Sequence, residues 1–219
     1  APGTGAAHAH ALAAQPLAAL LPDLVGEVTV LDPGVESDDL DAGKWLAPAA
    51  EATLVAAALG GRGAQEAAAA VFPYGVYRLT RTVVDAADAA ATWPIDTEIW
   101  LPAGEQVAVT TPLAGRVSRT EAGAIRVIDQ AGFTLVLRGV TATAEDGSEL
   151  AAGAAIGVLP AAAAARALTV GLRRPGAGEP ADTAAGEPAA AAAGSASGTA
   201  AEPEPSRTAT ATLVAPDRV

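Results

Sequence analysis

The stretch LPAGEQVAVTTPLAGRV, residues 101–117, is the clearest indication of fold in this chain. Aliphatic and β-branched residues alternate there with Gly and Pro, a pattern typical of short strands joined by tight turns. The same pattern runs from residue 74 to residue 172. It predicts strands over residues 76–84, 98–101, 106–111, 115–120, 124–128, 133–140, 156–159 and 167–172. Short strands at this regular spacing predict a mainly β domain, a barrel or a sandwich.

The rest of the chain divides into three regions around this β-rich domain of residues 74–172. Residues 1–24 are rich in Ala without a clear period and predict a flexible arm. Residues 25–73 predict a small α/β preface, with a strand over 25–31 and helices over 47–60 and 64–71. Residues 173–219 consist mostly of Ala, Gly, Pro, Glu, Ser and Thr, a composition that predicts a disordered low-complexity linker or tail.

The composition excludes several classes of function. The net charge is −12 and the single lysine is Lys44, which argues against nucleic acid or an anionic membrane surface as a partner. Without cysteine the chain has no disulfides, thiolate zinc sites or cysteine nucleophile, and we expect a cytoplasmic location. No apolar run reaches the roughly 20 residues needed to span a bilayer. The lack of any Met suggests a piece of a longer polypeptide.

Four motifs in the β-rich domain resemble one family, the lysostaphin-type zinc metallopeptidases (family M twenty-three). LPAGEQV (101–107) and TPLAGRV (111–117) are similar to its "PAGTPV–APLDGTV" stretch. FTLVLRG (133–139) resembles its "YTLYGHL" strand, and GSELAAGAAIG (147–157) resembles its glycine-spaced strap. The motifs stand in the order of the family. The resemblance implies a barrel-sandwich hybrid fold, which biotinyl and lipoyl carrier domains share.

The sequences that flank this domain carry a second, narrower resemblance. YGVYR (74–78) and VAPD (214–217) are similar to the flanks of a version that lies inside long polypeptides. In those polypeptides the domain stands between an aminoglycoside-phosphotransferase-like kinase domain and a class III aminotransferase. The resemblance implies that the partners are neighbouring domains of a larger polypeptide, or another protein.

The resemblance also gives the positions at which a zinc site would lie. The active family binds zinc with the His and Asp of an H-x-x-x-D element and the last His of an H-x-H strand, and two further histidines assist the bound water. Aligned on the PAG turn, this chain has Pro94 and Glu98 in the first element, Arg138 on the "GHL" strand, and Ala167 and Thr169 in H-x-H. Only Glu98 retains a metal-binding group. The resemblance therefore implies a degenerate site without catalytic residues, metal or cofactor.

The histidines of the N-terminal region leave one alternative open. His8 and His10 form an H-x-H pair that could swing over the barrel to Glu98 or Asp96. Such a cryptic site would make the chain a zinc metallopeptidase that hydrolyses peptidoglycan peptides. Two solvated histidines are the favoured interpretation, because ordering the arm costs about 1–2 kcal/mol per residue. Asp96 and Glu98 are interpreted as surface charges or as ion-pair partners of Arg78, Arg81 or Arg116.

The tryptophans leave a third class of function open. Trp93 and Trp100 flank the degenerate site, and core packing is the default role for such large side chains. The alternative is a groove that binds a small molecule, with Arg138 as an anion contact. The leading prediction is a non-catalytic, zinc-free peptidase-like domain that acts as a structural or interaction module.

Overall fold

The computed structural model describes residues 16–60, 66–82 and 94–176. In this part of the chain eleven strands form two sheets, accompanied by one α-helix and four short 3-10 helices. The predicted mainly β class is therefore confirmed. The strands are β1 Val28–Val30, β2 Ala69–Phe72, β3 Thr97–Leu101, β4 Val107–Thr110, β5 Gly115–Arg119, β6 Ile125–Ile128, β7 Thr134–Arg138, β8 Thr141–Ala142, β9 Glu149–Leu150, β10 Ala155–Leu159 and β11 Arg166–Arg173.

The larger sheet has eight strands in the order β1-β2-β3-β11-β7-β6-β5-β9, and the smaller has the order β4-β10-β8. The β1–β2 pair is parallel, and the other pairs are antiparallel. Among the described strands the larger sheet is open, with β1 and β9 at its edges, and does not close into a barrel. β11 follows the other strands in the chain, yet it lies in the middle of the sheet between β3 and β7.

The main core lies between one face of the larger sheet and the smaller sheet. Because side chains alternate along a strand, one face of β3, β7 and β11 carries the buried residues of this core, which are Ile99, Leu101, Leu135, Leu137, Leu168 and Val170. Cross-strand neighbours Ile99 and Leu168, on β3 and β11, are both fully buried there. The smaller sheet contributes Val109, Ile156 and Leu159.

A second core lies on the opposite face of the same sheet, under the helix α1, Ala50–Leu59. This helix falls within the predicted range 47–60, as expected from its Ala, Leu and Glu content, and Gly60 forms its C-cap. Leu54, Val55, Ala58 and Leu59 form its buried face. They belong to the same cluster as Ala70 and Phe72 of β2. The helix therefore covers the end of the sheet formed by β2 and β3.

The second predicted helix, over residues 64–71, is wrong. Residues Ala69–Phe72 form strand β2, and all four side chains are buried. Residues 61–65 lie outside the described residues. An alanine-rich sequence carries little preference for an extended chain, so the pairing of β2 with β1 and β3 decides its conformation.

The predicted strand over residues 76–84 is also wrong in its described part. A 3-10 helix, Leu79–Arg81, occupies the middle of that range, and residues 83–84 lie outside the described residues. The 3-10 turn brings Arg78 and Arg81 under α1, where each of them makes an ion pair with Glu51. Side-chain pairing here outweighs the β propensity of the valines and threonines.

The N-terminal segment differs from the flexible arm expected over residues 1–24. From residue 16 to residue 24 the chain packs onto the main core, and Leu20 and Leu21 are fully buried. The Thr110 N–H donates to the Leu20 carbonyl at 2.9 Å, which ties this segment to β4. Strands β1 and β2 likewise belong to the larger sheet, so the predicted preface shares a sheet with the β-rich domain. No helix in the described ranges is long and apolar enough to cross a membrane.

Candidate functional site

Three of the predicted degenerate positions form a row across the centre of the larger sheet. Thr169 on β11 is the direct cross-strand neighbour of both Glu98 on β3 and Arg138 on β7. Direct neighbours point to the same face of a sheet, so the three side chains lie together on the face opposite the main core. Ala167 lies one step along the same face, beside Trp100. The structure thus brings Glu98, Arg138, Ala167 and Thr169 to one surface.

The fifth degenerate position, Pro94, does not lie in this row. Pro94 precedes β3, and its carbonyl accepts a hydrogen bond from the Gly75 N–H at 3.0 Å. Trp93, His8 and His10 lie outside the described residues. Trp100 is half-buried and packs against the second core, as the default interpretation of the tryptophans expected.

Arginine side chains bind both carboxylate oxygens of Glu98. Arg78 Nη1 donates to Oε2 at 3.0 Å. Arg81 Nη2 donates to Oε1 at 3.0 Å and to Oε2 at 3.3 Å. The sequence-based interpretation of Glu98 as a partner of Arg78 or Arg81 is therefore confirmed for both arginines.

Glu51, in the first turn of α1, completes this network. Arg81 holds it from two nitrogens, Nε at 2.9 Å and Nη2 at 2.8 Å, and the Thr80 hydroxyl donates to it at 2.7 Å. Burial tends to raise the pKa of Glu51, but the hydrogen bonds and charges of Arg81, Arg78 and Thr80 outweigh it and lower that pKa. Burial tends to lower the pKa of Arg81, and its pairs with Glu51 and Glu98 raise it. Both groups therefore stay charged at neutral pH.

Arg78 is the most enclosed member of the network. Its side chain has no exposed surface, and its guanidinium carbon lies 4.4 Å from the centre of the Phe72 ring. Among the described residues, its Nε and Nη2 have no hydrogen-bond partner, and neither has the buried Nε1 of Trp100. Leaving such a donor unpaired costs about 1–3 kcal/mol. The formal charges of the two arginines and two glutamates cancel.

A second group of charges lies on the same sheet around Asp96. Its Oδ2 accepts from Arg138 Nη1 at 3.0 Å, and its Oδ1 pairs with Arg173 Nη2. A side chain at Gly171 would overlap with Asp96 Oδ1, so the absence of a Cβ makes room for this carboxylate. The sequence favoured Asp96 as a surface charge or as a partner of Arg78, Arg81 or Arg116, but this largely buried carboxylate pairs with Arg138 and Arg173 instead.

The arrangement favours charge pairing over catalysis or metal binding. In residues 16–60, 66–82 and 94–176, no group of three or more His, Asp or Glu side chains could hold a metal ion. Glu98 is bonded to cations, and Arg138 places a further cation in the same row. The pKa shifts of Glu51 and Arg81 keep both partners fully charged near pH 7, which is unsuited to proton exchange.

The four-residue network was not predicted as a unit from the sequence. Arg78 and Arg81 stand three positions apart, a spacing that puts two side chains on the same side of a 3-10 helix. That spacing was the available signal, but the prediction of a strand over residues 76–84 placed the two arginines on opposite faces. Glu51 carried no signal, because it lies on a different element and meets the arginines only in the folded chain.

Comparison with known proteins assigns no family: no protein-family model, no curated protein and no solved structure matches the chain. The sheet, the row across it and the paired charges are therefore the observations from which a function can be proposed.

Proposed function

We propose that this chain is a non-catalytic, zinc-free peptidase-like domain that acts as a structural or interaction module. The observation that carries the proposal is the double pairing of Glu98 with Arg78 and Arg81. Glu98 is the one degenerate position with a carboxylate, and it already has cationic partners. The resemblance to lysostaphin-type peptidases, with its barrel-sandwich hybrid fold, supplies the family part of the proposal.

The chemistry of the neighbouring positions supports a loss of zinc binding. A catalytic zinc site needs about three neutral or anionic ligands and one open position. Ala167 has no ligand atom, and Arg138 brings a positive charge bonded to Asp96. A metal ion at this row would meet three guanidinium groups, which repel it. These residues instead support a structural role, in which their ion pairs join α1, the 3-10 turn and the larger sheet.

Metal analysis of the full chain tests the proposal. After incubation with zinc and dialysis, we expect clearly less than one zinc per chain, no change in melting temperature and no cleavage of cross-bridge peptides. The cryptic-site alternative predicts one bound zinc, cleavage activity, and loss of both in Glu98→Gln. The double variant His8→Ala/His10→Ala is the control. It keeps Glu98 and removes any zinc that the two histidines bind by themselves. Zinc that is lost in this variant but retained in Glu98→Gln would therefore not belong to the cryptic site.

A small-molecule-binding module is the second candidate, and the unpaired indole nitrogen of Trp100 favours it. Trp100 lies beside the row, and its buried indole N–H has no hydrogen-bond partner among the described residues, so an acceptor on a ligand would complete its hydrogen bonding. Ligand-detected NMR with amino alcohols and amino acids tests this candidate. A signal that Trp100→Phe abolishes supports it, whereas the absence of any signal counts against it.

A further inference from the structure

We propose that the buried guanidinium of Arg78 binds a small carboxylate between α1 and the larger sheet. The two donors concerned are Nε and Nη2, which have no partner among the described residues. The site adjoins Glu98, the degenerate zinc position that Arg78 binds through Nη1, but it does not require the chain to be a peptidase relative.

The geometry of the guanidinium selects the ligand. The Nε–H and one Nη2–H point in parallel from the same edge of the group, and this edge matches the two oxygens of a carboxylate. Arg81 shows this pairing in the same network, with Nε and Nη2 bonded to the two oxygens of Glu51 at 2.9 and 2.8 Å. Arg78 uses Nη1 for Glu98, which leaves its bidentate edge free of described partners.

The surroundings of this edge favour an acceptor over a donor. The guanidinium is stacked on Phe72, which belongs to the same core cluster as Trp100. Nε and Nη2 of Arg78 can only donate hydrogen bonds, and neither has an acceptor among the described residues. A metal ion finds no ligand in such a set of donors. A carboxylate, which has only acceptor oxygens, complements it.

The charge balance favours a single negative charge. The four-residue network is formally neutral, and Arg78 makes one hydrogen bond to a carboxylate that it shares with Arg81. A monoanion adds one negative charge next to Arg78, which makes fewer hydrogen bonds than Arg81. A phosphate dianion adds two in a buried place, where desolvation is more costly.

Access to the site lies at the rim of the network. Arg81 is 32% exposed and Glu51 is 21% exposed, whereas Arg78 has no exposed surface. We therefore expect a ligand to enter when the structure opens locally near Arg81. The association rate should then be lower than the diffusion limit.

NMR of the Arg78 Nε–H in the full, ¹⁵N-labelled chain tests the proposal directly. The resonance is assigned from its contacts with the Phe72 ring protons and from its loss in Arg78→Lys. Acetate is added at constant ionic strength, with chloride as the balancing anion. We expect a saturable shift of this resonance and a rise in melting temperature. Arg78→Lys, which keeps the charge but loses the planar edge, should bind acetate at least about tenfold more weakly.

Matched probes and variants separate the possible outcomes. Arg119→Lys, an exposed arginine on β5, should leave the acetate response unchanged. The comparison of acetate with neutral acetamide keeps the wild-type Arg78, so the test stands even if Arg78→Lys fails to fold. The proposal is overturned if chloride alone gives the same shift, if neutral acetamide binds as well as acetate, or if only phosphate binds.

Discussion

Arg78 Nη1 lies 3.0 Å from Glu98 Oε2, and this contact joins the 3-10 turn to the centre of the larger sheet. Because the arginine has no exposed surface, its charge depends on Glu98 and on Glu51 for neutralisation. Breaking this pair should therefore lower the free energy of unfolding by more than breaking an ion pair at the surface, which contributes about 0–1 kcal/mol.

Glu98→Gln should lower the free energy of unfolding by about 3 kcal/mol, because it leaves the buried Arg78 without its closest counter-charge. Urea unfolding measures the change. Glu105→Gln is the matched control, since Glu105 is exposed, and it should change the stability by less than about 0.5 kcal/mol. Equal effects of the two variants would show that the Arg78–Glu98 pair has no special role.

The lowered pKa of Glu51 predicts a defined dependence of stability on pH. A carboxyl group whose pKa is lower in the folded state stabilises the protein above its unfolded value, about 4.3, and this contribution is lost as the pH falls through the folded pKa. Wild type should therefore be more stable than Glu51→Gln at pH 7. The difference should shrink progressively below about pH 4.3. Chemical unfolding at a series of pH values checks it, and a constant difference contradicts it.

Gly139→Ala should be much more destabilising than Gly123→Ala. Both glycines have positive φ, 84° and 79°, and a side chain there costs about 1–2 kcal/mol in either place. At Gly139 the added Cβ would also collide with the backbone carbonyl oxygen of Ala167, whereas at Gly123 it meets nothing within 4 Å. Thermal unfolding of both variants measures the difference. Similar losses would argue against the close approach of Gly139 to β11.

Leu20→Ala should destabilise the protein by about 2–5 kcal/mol, although it lies near the start of the chain. The side chain is fully buried in the main core, so the substitution removes contacts and leaves a cavity. Val25→Ala is the control, because Val25 is 88% exposed and should cost less than about 0.5 kcal/mol. A small effect of Leu20→Ala would instead support the flexible arm that the sequence predicted for residues 1–24.

Ala49→Gly should stabilise the protein, whereas Ala57→Gly should destabilise it by about 1 kcal/mol. Ala49 precedes α1 with φ 60°, a left-handed conformation that glycine adopts without strain. Ala57 lies on the exposed side of the same helix, where glycine only adds flexibility to the unfolded chain. Melting temperatures of the two variants should move in opposite directions, and a fall in both would mean that Ala49 is not strained.

The sequence predicted most strands of the β-rich domain to within a few residues. β6 is typical: Ile125, Val127 and Ile128 are β-branched and Asp129 follows the strand, so local propensity and tertiary pairing agree. The prediction failed for β2, because its alanines carry no such preference for an extended chain. β8 and β9 escaped prediction because two-residue strands exist only through their pairing with β10 and β5.

The candidate site was predictable only in part. A count of ligand residues was enough to question zinc binding, and an acidic residue among arginines was enough to suggest an ion pair. The convergence of Glu51, Arg78 and Arg81 was not predictable, because it depends on how α1 and the 3-10 turn pack. The resemblance to the lysostaphin-type peptidases stays a prediction.

The position of β11 has a consequence for the synthesis of this chain on the ribosome. Strands β3 and β7 are made first, and the strand that must lie between them, Arg166–Arg173, is made after both. Until it emerges, each has an open edge that can pair with the wrong neighbour. Folding of the nascent chain should therefore be completed late, and pausing of translation before residue 166 should favour aggregation.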